Sequence, residues 1–249
     1  DKKYPIHIKL ETGMHRLGFK GDELSHLIKN LEHKNLKVQS IFSHLSSSDV
    51  PEEKEFTLKQ LEIFDKNSTY LIENLGYEAL RHILNSSGIT NYAHNQYNMV
   101  RIGIGMLGES SDPKIQKQLQ SSVSFKTVIS QISLVENGES VGYSRKYKTS
   151  HLTKIATIPV GYADGIPRLI GNQVGNVGIN KTLAPIVGNI CMDMMMIKVD
   201  DIANVKEGDT VTVFNAKPSL KEFAEYCKTI TYEVLTSISP RVKRIYIKD

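Results

Sequence analysis

Several features that mark other classes of protein are scarce in this sequence. It has two cysteines, Cys191 and Cys227, which cannot form the disulfide framework of a small secreted protein, so a reducing cytoplasm is expected. No apolar run approaches the roughly 18 residues of a membrane span, and the first segment, DKKYPIHIKL, lacks the apolar stretch of a signal peptide. No HExxH or CxxC motif and no paired-carboxylate spacing occurs, so no metal site is expected.

The charge is nearly balanced and is spread along the chain. The 31 basic and 27 acidic residues are interspersed and give a net charge of +4. Such a mildly basic surface lacks the clustered charge with which proteins bind nucleic acid. Neither a nucleic-acid partner nor a membrane is therefore expected.

The first hundred residues alternate β-rich segments with amphipathic helical ones. Strands are predicted at PIHIKLE and LKVQSIFSHL, with a helix between them that Asp22 would cap. A longer helix is predicted after a capping box from Asp49 to Glu52 and ends at Gly76. The segments EALRHILNSSG and NMVRIGIGMLG complete the series, which predicts about four parallel β/α units.

From about residue 120 the pattern changes to strands separated by turns. These strands are SVSFKTVISQISLV, LTKIATIPV, APIVGNICMDMMMIKVD and GDTVTVF. One late helix is predicted from Ser219, with a capping box to Glu222, to about Cys227. The polar segment 108–114 is the expected boundary, which gives an α/β domain at 1–112 and a β-rich domain at 113–249.

Four β/α units are half of a closed (β/α)₈ barrel. Residues 1–112 would form either a small open sheet or the second half of a TIM-like barrel whose first half is not in this sequence. The chain begins with Asp1 rather than Met, and a strand follows almost at once. This start favours the second interpretation, a chain cut or matured upstream.

Residues that can carry chemistry stand at the predicted carboxyl ends of the strands, where barrel enzymes place their functional groups. They are Lys9 with Arg16, His44, Asn85 with Ser86, and Arg101 with Gly103. The β-rich half adds Tyr143, Tyr162, Tyr232 and the run CMDMMM at 191–196. Each of these has an ordinary structural explanation when it is taken alone, such as a surface charge, a turn or core packing.

The segment RIGIGMLG matches the pattern G-x-G-x-x-G at Gly103, Gly105 and Gly108. A dinucleotide site is rejected because no helix follows the segment and no acidic residue stands about twenty positions on. The amides of Gly103 and Ile104 can still hold a phosphate, and the hydroxyl of Ser86 can bind the same anion.

Taken together, the motifs resemble the alanine racemase family of pyridoxal-phosphate enzymes. They cover nearly the whole chain in family order: HIKLETGMHRLGF, IFSHLSSSD, NSSG, VRIGIGMLG, VGYSRKY, IPVGYADGIPR, PIVGNICMDMMMIKV and TYEVLTSISPRVKRIY. The resemblance implies a (β/α)₈ barrel followed by a β-rich domain. It also implies a homodimer with shared active sites that interconverts L- and D-alanine and so supplies D-alanine for peptidoglycan.

The resemblance assigns roles to individual residues. Cofactor-binding residues would be Ser86, Gly103, Ile104 and Tyr232 around the phosphate, with Arg101 facing the pyridine nitrogen. The catalytic set would be Tyr143, which exchanges the Cα proton, together with Arg101 and the His44 linked to it. Substrate contacts would be Arg16 and Met192, with Tyr162 lining the substrate entrance. Lys9 stands where the family often has a carbamylated lysine.

Two family residues have no match in this sequence, the lysine that forms the Schiff base and a tyrosine near it. The lysine that forms the Schiff base belongs to the first barrel strand, which is expected upstream of residue 1. Three hypotheses therefore stay open at the level of sequence. They are an alanine racemase portion, a related enzyme acting on serine or a basic amino acid, and a non-catalytic phosphate-binding or dimerising module.

Overall fold

The computed structural model describes residues 3–32, 35–215 and 217–247, which form two compact units. The first unit ends at Ser122 and the second begins at Val123. The boundary predicted near residue 112 lies earlier than this division. None of the helices in the described ranges is long and apolar enough to cross a membrane.

The first unit is a parallel sheet with helices packed against it. Its described strands and helices are β1 (Tyr4–Lys9), α1 (Leu24–Glu32), β2 (Leu36–Phe42), α2 (Lys54–Leu75), β3 (Leu80–His82), α3 (Ser86–Asn91) and α4 (Pro113–Gln116). The sheet order is β1-β2-β3, and both pairings are parallel. The register places Lys9 beside Phe42 and Phe42 beside His82, so one row crosses the carboxyl ends of all three strands.

Helix α2 shows how the sequence builds this unit. Its buried apolar residues Leu61, Phe64 and Leu71 recur at helical spacing and face the core of the sheet. The helix ends at Gly76, whose φ of 70° is the left-handed conformation that glycine adopts most easily. The predicted stop at Gly76 is therefore confirmed.

The fourth predicted strand, in NMVRIGIGMLG, does not form. The segment makes two backbone hydrogen bonds beside β3. The amide of Asn98 donates to the carbonyl of Arg81, and the amide of Arg101 donates to the carbonyl of Leu84. It then turns into a 3₁₀ helix at Ile104–Leu107. Three parallel strands, rather than four, are thus present in the described part of this unit, and the half-barrel interpretation is not confirmed.

Two predicted helix caps are also wrong. Asp22 lies inside a 3₁₀ turn, Gly21–Glu23, that leads directly into α1. Asp49 is not at the N-cap position. That position is taken by Val50, which precedes the 3₁₀ turn Pro51–Glu53 and has no side-chain acceptor. In both places the last amide of the 3₁₀ turn, Glu23 or Glu53, donates to the carbonyl three residues earlier, and at the first turn the Glu23 carboxylate also accepts the Lys20 amide.

The second unit is an antiparallel β structure with two helices. Its strands and helices are β4 (Phe125–Val128), β5 (Gln131–Val135), β6 (Ser140–Val141), β7 (Tyr147–Lys148), β8 (Thr153–Ile158), β9 (Asn176–Ile179), β10 (Thr182–Val187), β11 (Met195–Lys198), β12 (Thr210–Phe214), α5 (Leu220–Tyr226) and α6 (Thr231–Ser237). Seven strands form one sheet in the order β4-β12-β9-β10-β11-β8-β5, and β6 pairs with β7.

The predicted β-rich character of this half is confirmed, with one addition. Helix α5 begins after Ser219, whose hydroxyl accepts the Glu222 amide in the predicted capping box. Helix α6 was not predicted, and it places Tyr232 on a helix rather than a strand. The apolar faces of the sheet and of both helices share one buried core.

Candidate functional site

Arg101 lies at the carboxyl end of the parallel sheet and is held by atoms from two strand ends. Its Nη2 donates to the carbonyl oxygens of Ser43, at 2.6 Å, and Ile83, at 3.2 Å. Its Nη1 lies 2.5 Å from Nδ1 of His82, and Nη2 lies 3.3 Å from Nδ1 of His44. No carboxylate pairs with this guanidinium in the described ranges.

A chain of polar contacts continues from Arg101 into the sheet. Because arginine has no acceptor, the Nδ1 atom of His82 must accept, and the proton of its ring sits on Nε2. Nε2 lies 3.1 Å from the Ser40 hydroxyl, which lies 2.6 Å from Nδ1 of His7. Arg101 therefore fixes the tautomer of His82. The buried Ser40 hydroxyl accepts the Nε2 proton of His82, so its own proton is free to be donated to Nδ1 of His7.

The cluster is electrostatically positive. Burial lowers the pKa of Lys9, and Arg16 and Arg101 lower it further against the opposing effect of Glu11. Burial, Arg101, Arg16 and Lys9 lower the pKa of His44. Excess positive charge of this kind favours an anionic ligand at this edge of the sheet.

A second group of atoms forms a cradle beside Arg101. The Ser86 hydroxyl oxygen accepts the amide of Gly103 at 2.9 Å and that of Gly105 at 3.3 Å. A Cβ built at Gly105 would stand 3.4 Å from the same oxygen, which is van der Waals contact, so Gly105 lies directly against the Ser86 hydroxyl. Ser86 opens α3, and the preceding Asn85 caps that helix by accepting the amide of Gly88 at 2.9 Å. The expected phosphate residues of this unit are thus neighbours.

The four predicted residues of the second unit lie on turns and on a helix. Tyr143 starts a 3₁₀ turn, Tyr143–Arg145, and its carbonyl accepts the side-chain amide of Asn189 at 3.0 Å. Tyr162 starts another, Tyr162–Asp164, and Tyr232 lies in the first turn of α6. The side chains of Tyr143, Met192 and Tyr162 are 67%, 53% and 42% exposed.

The turn that carries Tyr162 is joined to the loop that carries Met192. The amide of Tyr162 donates to the Cys191 carbonyl and that of Ala163 to the Met192 carbonyl, both at 3.0 Å. Gly161 lies so close that a Cβ there would be 2.3 Å from the Cys191 oxygen and 2.4 Å from the Met192 oxygen. The structure therefore brings Tyr162 and Met192 together.

Several residues of these networks were missed at the level of sequence, among them His82, Ser40 and Arg241. Ser40 and His82 lie within the strands β2 and β3, and the candidates of this unit were residues at the predicted strand ends. Arg241 bridges Asp164 and Asp193, and nothing local in RVKRIY indicated it.

Comparison with known proteins agrees with the motifs. A family model described as alanine racemase, N-terminal domain, matches residues 1–111, and one described as alanine racemase, C-terminal domain, matches residues 122–246. Alanine racemase 1 of Oceanobacillus iheyensis is 36% identical over 99% of this chain and 68% of its own length. The alanine racemase of Clostridium novyi is 39% identical over 98% of this chain and 65% of its own length.

Solved structures show the same relationship. Alanine racemase from Bacillus anthracis with bound L-Ala-P has a TM-score of 0.90 and 32% identity over 99% of this chain and 65% of that one. Alanine racemase from Bartonella henselae with covalently bound pyridoxal phosphate has a TM-score of 0.87 and 32% identity over 98% of this chain and 67% of that one.

The two family models and these relatives, together with the division into a β/α unit and a β-rich unit, define the class of the chain, a two-domain racemase family. The chain belongs to the alanine racemase family. It spans about two thirds of the length of the relatives it matches. The expected absence of the N-terminal half of the barrel is not supported, because residues 1–111 match the N-terminal domain model.

Proposed function

We propose that this chain provides cofactor- and substrate-binding residues for the interconversion of L- and D-alanine with pyridoxal phosphate. The observation that carries the proposal is the Arg101 network beside the Ser86 cradle. A carboxylate-free guanidinium and a cluster of cations suit an anionic, phosphorylated ligand.

The residues present fit the cofactor. The Ser86 hydroxyl would hold its phosphate together with the amides of Ile104 and of Gly103, which in the structure donates to the Ser86 oxygen. The resemblance adds Tyr232 to this set. Pyridoxal phosphate, when bound, supplies an electron sink for the negative charge that develops at the substrate Cα. Arg101 would face the ring nitrogen and donate a hydrogen bond to it. Because a guanidinium keeps its proton, that nitrogen would stay unprotonated.

The remaining residues would handle the substrate. Arg16 would pair with its carboxylate, with Met192 beside it, and Tyr162 would line the entrance. Tyr143 would move a proton at Cα on one face. Racemisation needs a second acid/base group on the opposite face. In the family this is the Schiff-base lysine, which the resemblance matches to no residue of this sequence.

We further propose that the site is completed in a homodimer, with Tyr143 and Met192 of one chain serving the cofactor of the other. Their exposure in the single chain supports this arrangement. A mixture of a Tyr143→Phe chain and a Ser86→Ala chain would then regain activity, because one site of each mixed dimer keeps both residues. The D-alanine formed would serve peptidoglycan synthesis in the cytoplasm.

The test uses the protein in its native form, supplied with pyridoxal phosphate. Racemisation of alanine, serine and lysine is measured by chiral chromatography. Racemisation of alanine in preference to the others, lost in Tyr143→Phe, supports the proposal. Faster racemisation of serine or lysine than of alanine would identify that amino acid as the substrate and contradict the assignment of alanine. Cofactor binding with no racemisation of any amino acid would overturn the catalytic assignment in favour of a binding module.

A further inference from the structure

Arg241 lies between two carboxylates that belong to different loops. Its Nε is 2.7 Å from Oδ1 of Asp164, and its Nη2 is 2.7 Å from Oδ1 of Asp193. The planar guanidinium presents donors along two edges, so it can hold both acids in one fixed geometry. A lysine ammonium has no such fork and reaches one of them well.

Each carboxylate controls a loop with an expected substrate residue. The second oxygen of Asp164 accepts the Gly161 amide at 2.8 Å and closes the turn that contains Tyr162. Asp193 directly follows Met192. A single side chain therefore ties the Tyr162 turn to the Met192 loop, in addition to the two backbone hydrogen bonds between them.

The segment that carries Arg241 adds a third element. It follows α6, the helix of Tyr232, and the Ser239 amide donates to the Asp164 carbonyl at 3.2 Å. Gly165 packs against the same segment, because a Cβ there would be 2.4 Å from the Ser237 oxygen. The exit of α6 is thus fixed against the Tyr162 turn.

Electrostatics make this arrangement depend on the arginine. Asp164 is 8% exposed, and a buried carboxylate without a partner is strongly unfavourable. Burial alone raises the pKa of Asp164, but the hydrogen bonds from Arg241 and the Gly161 amide outweigh it, and the net pKa lies below its usual value. The hydrogen bonds to Asp164 and Asp193 raise the pKa of Arg241.

We infer that Arg241 is a positioning residue that fixes Tyr162 and Met192 relative to each other and to the exit of the Tyr232 helix. The effect of Arg241 on catalysis rests on the proposed function, in which Tyr162 lines the substrate entrance and Met192 contacts the substrate. The clamp shapes how alanine enters and is held. Its loss therefore raises KM more than it lowers kcat.

The first test needs neither cofactor nor turnover. Hydrogen exchange of the Tyr162 and Ala163 amides is compared in the full chain and in Arg241→Gln, Arg241→Lys and Asp193→Asn. We expect roughly tenfold faster exchange in Arg241→Gln, with smaller effects in the other two variants, which each keep one contact. Lys243→Gln is the matched control, because Lys243 is an exposed cation two positions from Arg241 and the two carboxylates of the clamp are held by Arg241.

Unchanged exchange in both Arg241→Gln and Asp193→Asn, or equal acceleration in Lys243→Gln, would overturn the inference. Steady-state kinetics then test its consequence in the protein as its cell makes it. KM for alanine should rise about fivefold or more in Arg241→Gln with kcat within about twofold, and Arg241→Lys should recover part of the loss. An equal loss in kcat would overturn the positioning role. If the unaltered protein racemises nothing, the proposed function fails while the exchange result still decides the clamp.

Discussion

The guanidinium of Arg101 and the imidazole of His82 meet at 2.5 Å, Nη1 to Nδ1. His82 is 5% exposed and also stacks on Phe42, with ring centroids 5.3 Å apart. A protonated His82 would place a second cation against Arg101 and would lose its acceptor. The contact therefore requires a neutral histidine and a fixed tautomer.

The first prediction concerns the titration of His82. Burial, Arg101 and His7 lower its pKa from 6.5 to about 4. In the unfolded chain the imidazole of His82 binds its second proton more tightly than in the folded chain. The free energy of unfolding is therefore unaffected by this group above pH 6.5 and decreases as the pH falls toward 4. The first unit should lose about 2 kcal/mol between pH 7 and pH 5. NMR titration of the ring Cε1–Hε1 signal, assigned with His82→Gln, measures the pKa. A midpoint near 6.5 would contradict the tautomer assignment.

Ser40→Ala should destabilise the first unit by about 2 kcal/mol. The substitution removes the acceptor of the His82 Nε2 proton and leaves that buried donor without a partner. Urea unfolding at pH 7 measures the effect. The control is Ser25→Ala on the exposed face of α1, which should stay within about 0.5 kcal/mol of the parent chain. Equal effects of the two substitutions would remove Ser40 from the network.

Gly161→Ala should destabilise the second unit by about 3 kcal/mol or more, because the new methyl group would overlap two backbone oxygens that cannot move independently. Gly138→Ala is a matched control for adding a methyl group, since nothing lies within 4 Å of its Cβ position. That control carries strain from a φ of 82° and should cost about 1 kcal/mol. A Gly161→Ala loss no larger than that of the control would show that the two loops can separate without strain.

Acid should open the Asp164 clamp. Because the folded pKa of Asp164 is depressed, its contribution is complete above the unfolded value near 3.8 and is lost as the pH falls through the lower folded pKa. Exchange at Tyr162 in the parent chain, corrected for intrinsic rates, should therefore accelerate only below about pH 4. In Asp164→Asn this acid step should be absent. An acid step that persists in this variant would assign the effect to another group.

The sequence predicted those helix ends that are determined by residues within a few positions of each other. Gly76 ends α2 because it alone takes the left-handed conformation cheaply, and Ser219 with Glu222 starts α5 within four residues. The fourth strand failed because a strand also needs a neighbour. The segment at Asn98–Arg101 makes one backbone hydrogen bond to Arg81 of β3 and one to Leu84 beyond its end, before the glycines of RIGIG turn it.

The site was predictable where strand ends and motifs marked it, as for Arg101, His44 and Ser86. The roles assigned to these residues stay predictions. His82, Ser40 and Arg241 could not be found in the same way, because their partners are distant in sequence. His82 meets Ser40 across 42 positions, and Arg241 meets Asp164 across 77. Only the folded register of β2 beside β3, and the return of the chain after α6, bring them together.

The most direct test of the proposed phosphate site is a titration with pyridoxal phosphate, followed by the absorbance of the cofactor, in the parent chain and in its Ser86→Ala and Ser87→Ala variants. We expect saturable binding by the parent chain and roughly tenfold weaker binding by Ser86→Ala, since the cradle oxygen is lost. Ser87→Ala, at the adjacent position in α3, should bind like the parent. Absence of saturable binding, or equal weakening by both substitutions, would contradict the assignment of this site to the cofactor phosphate.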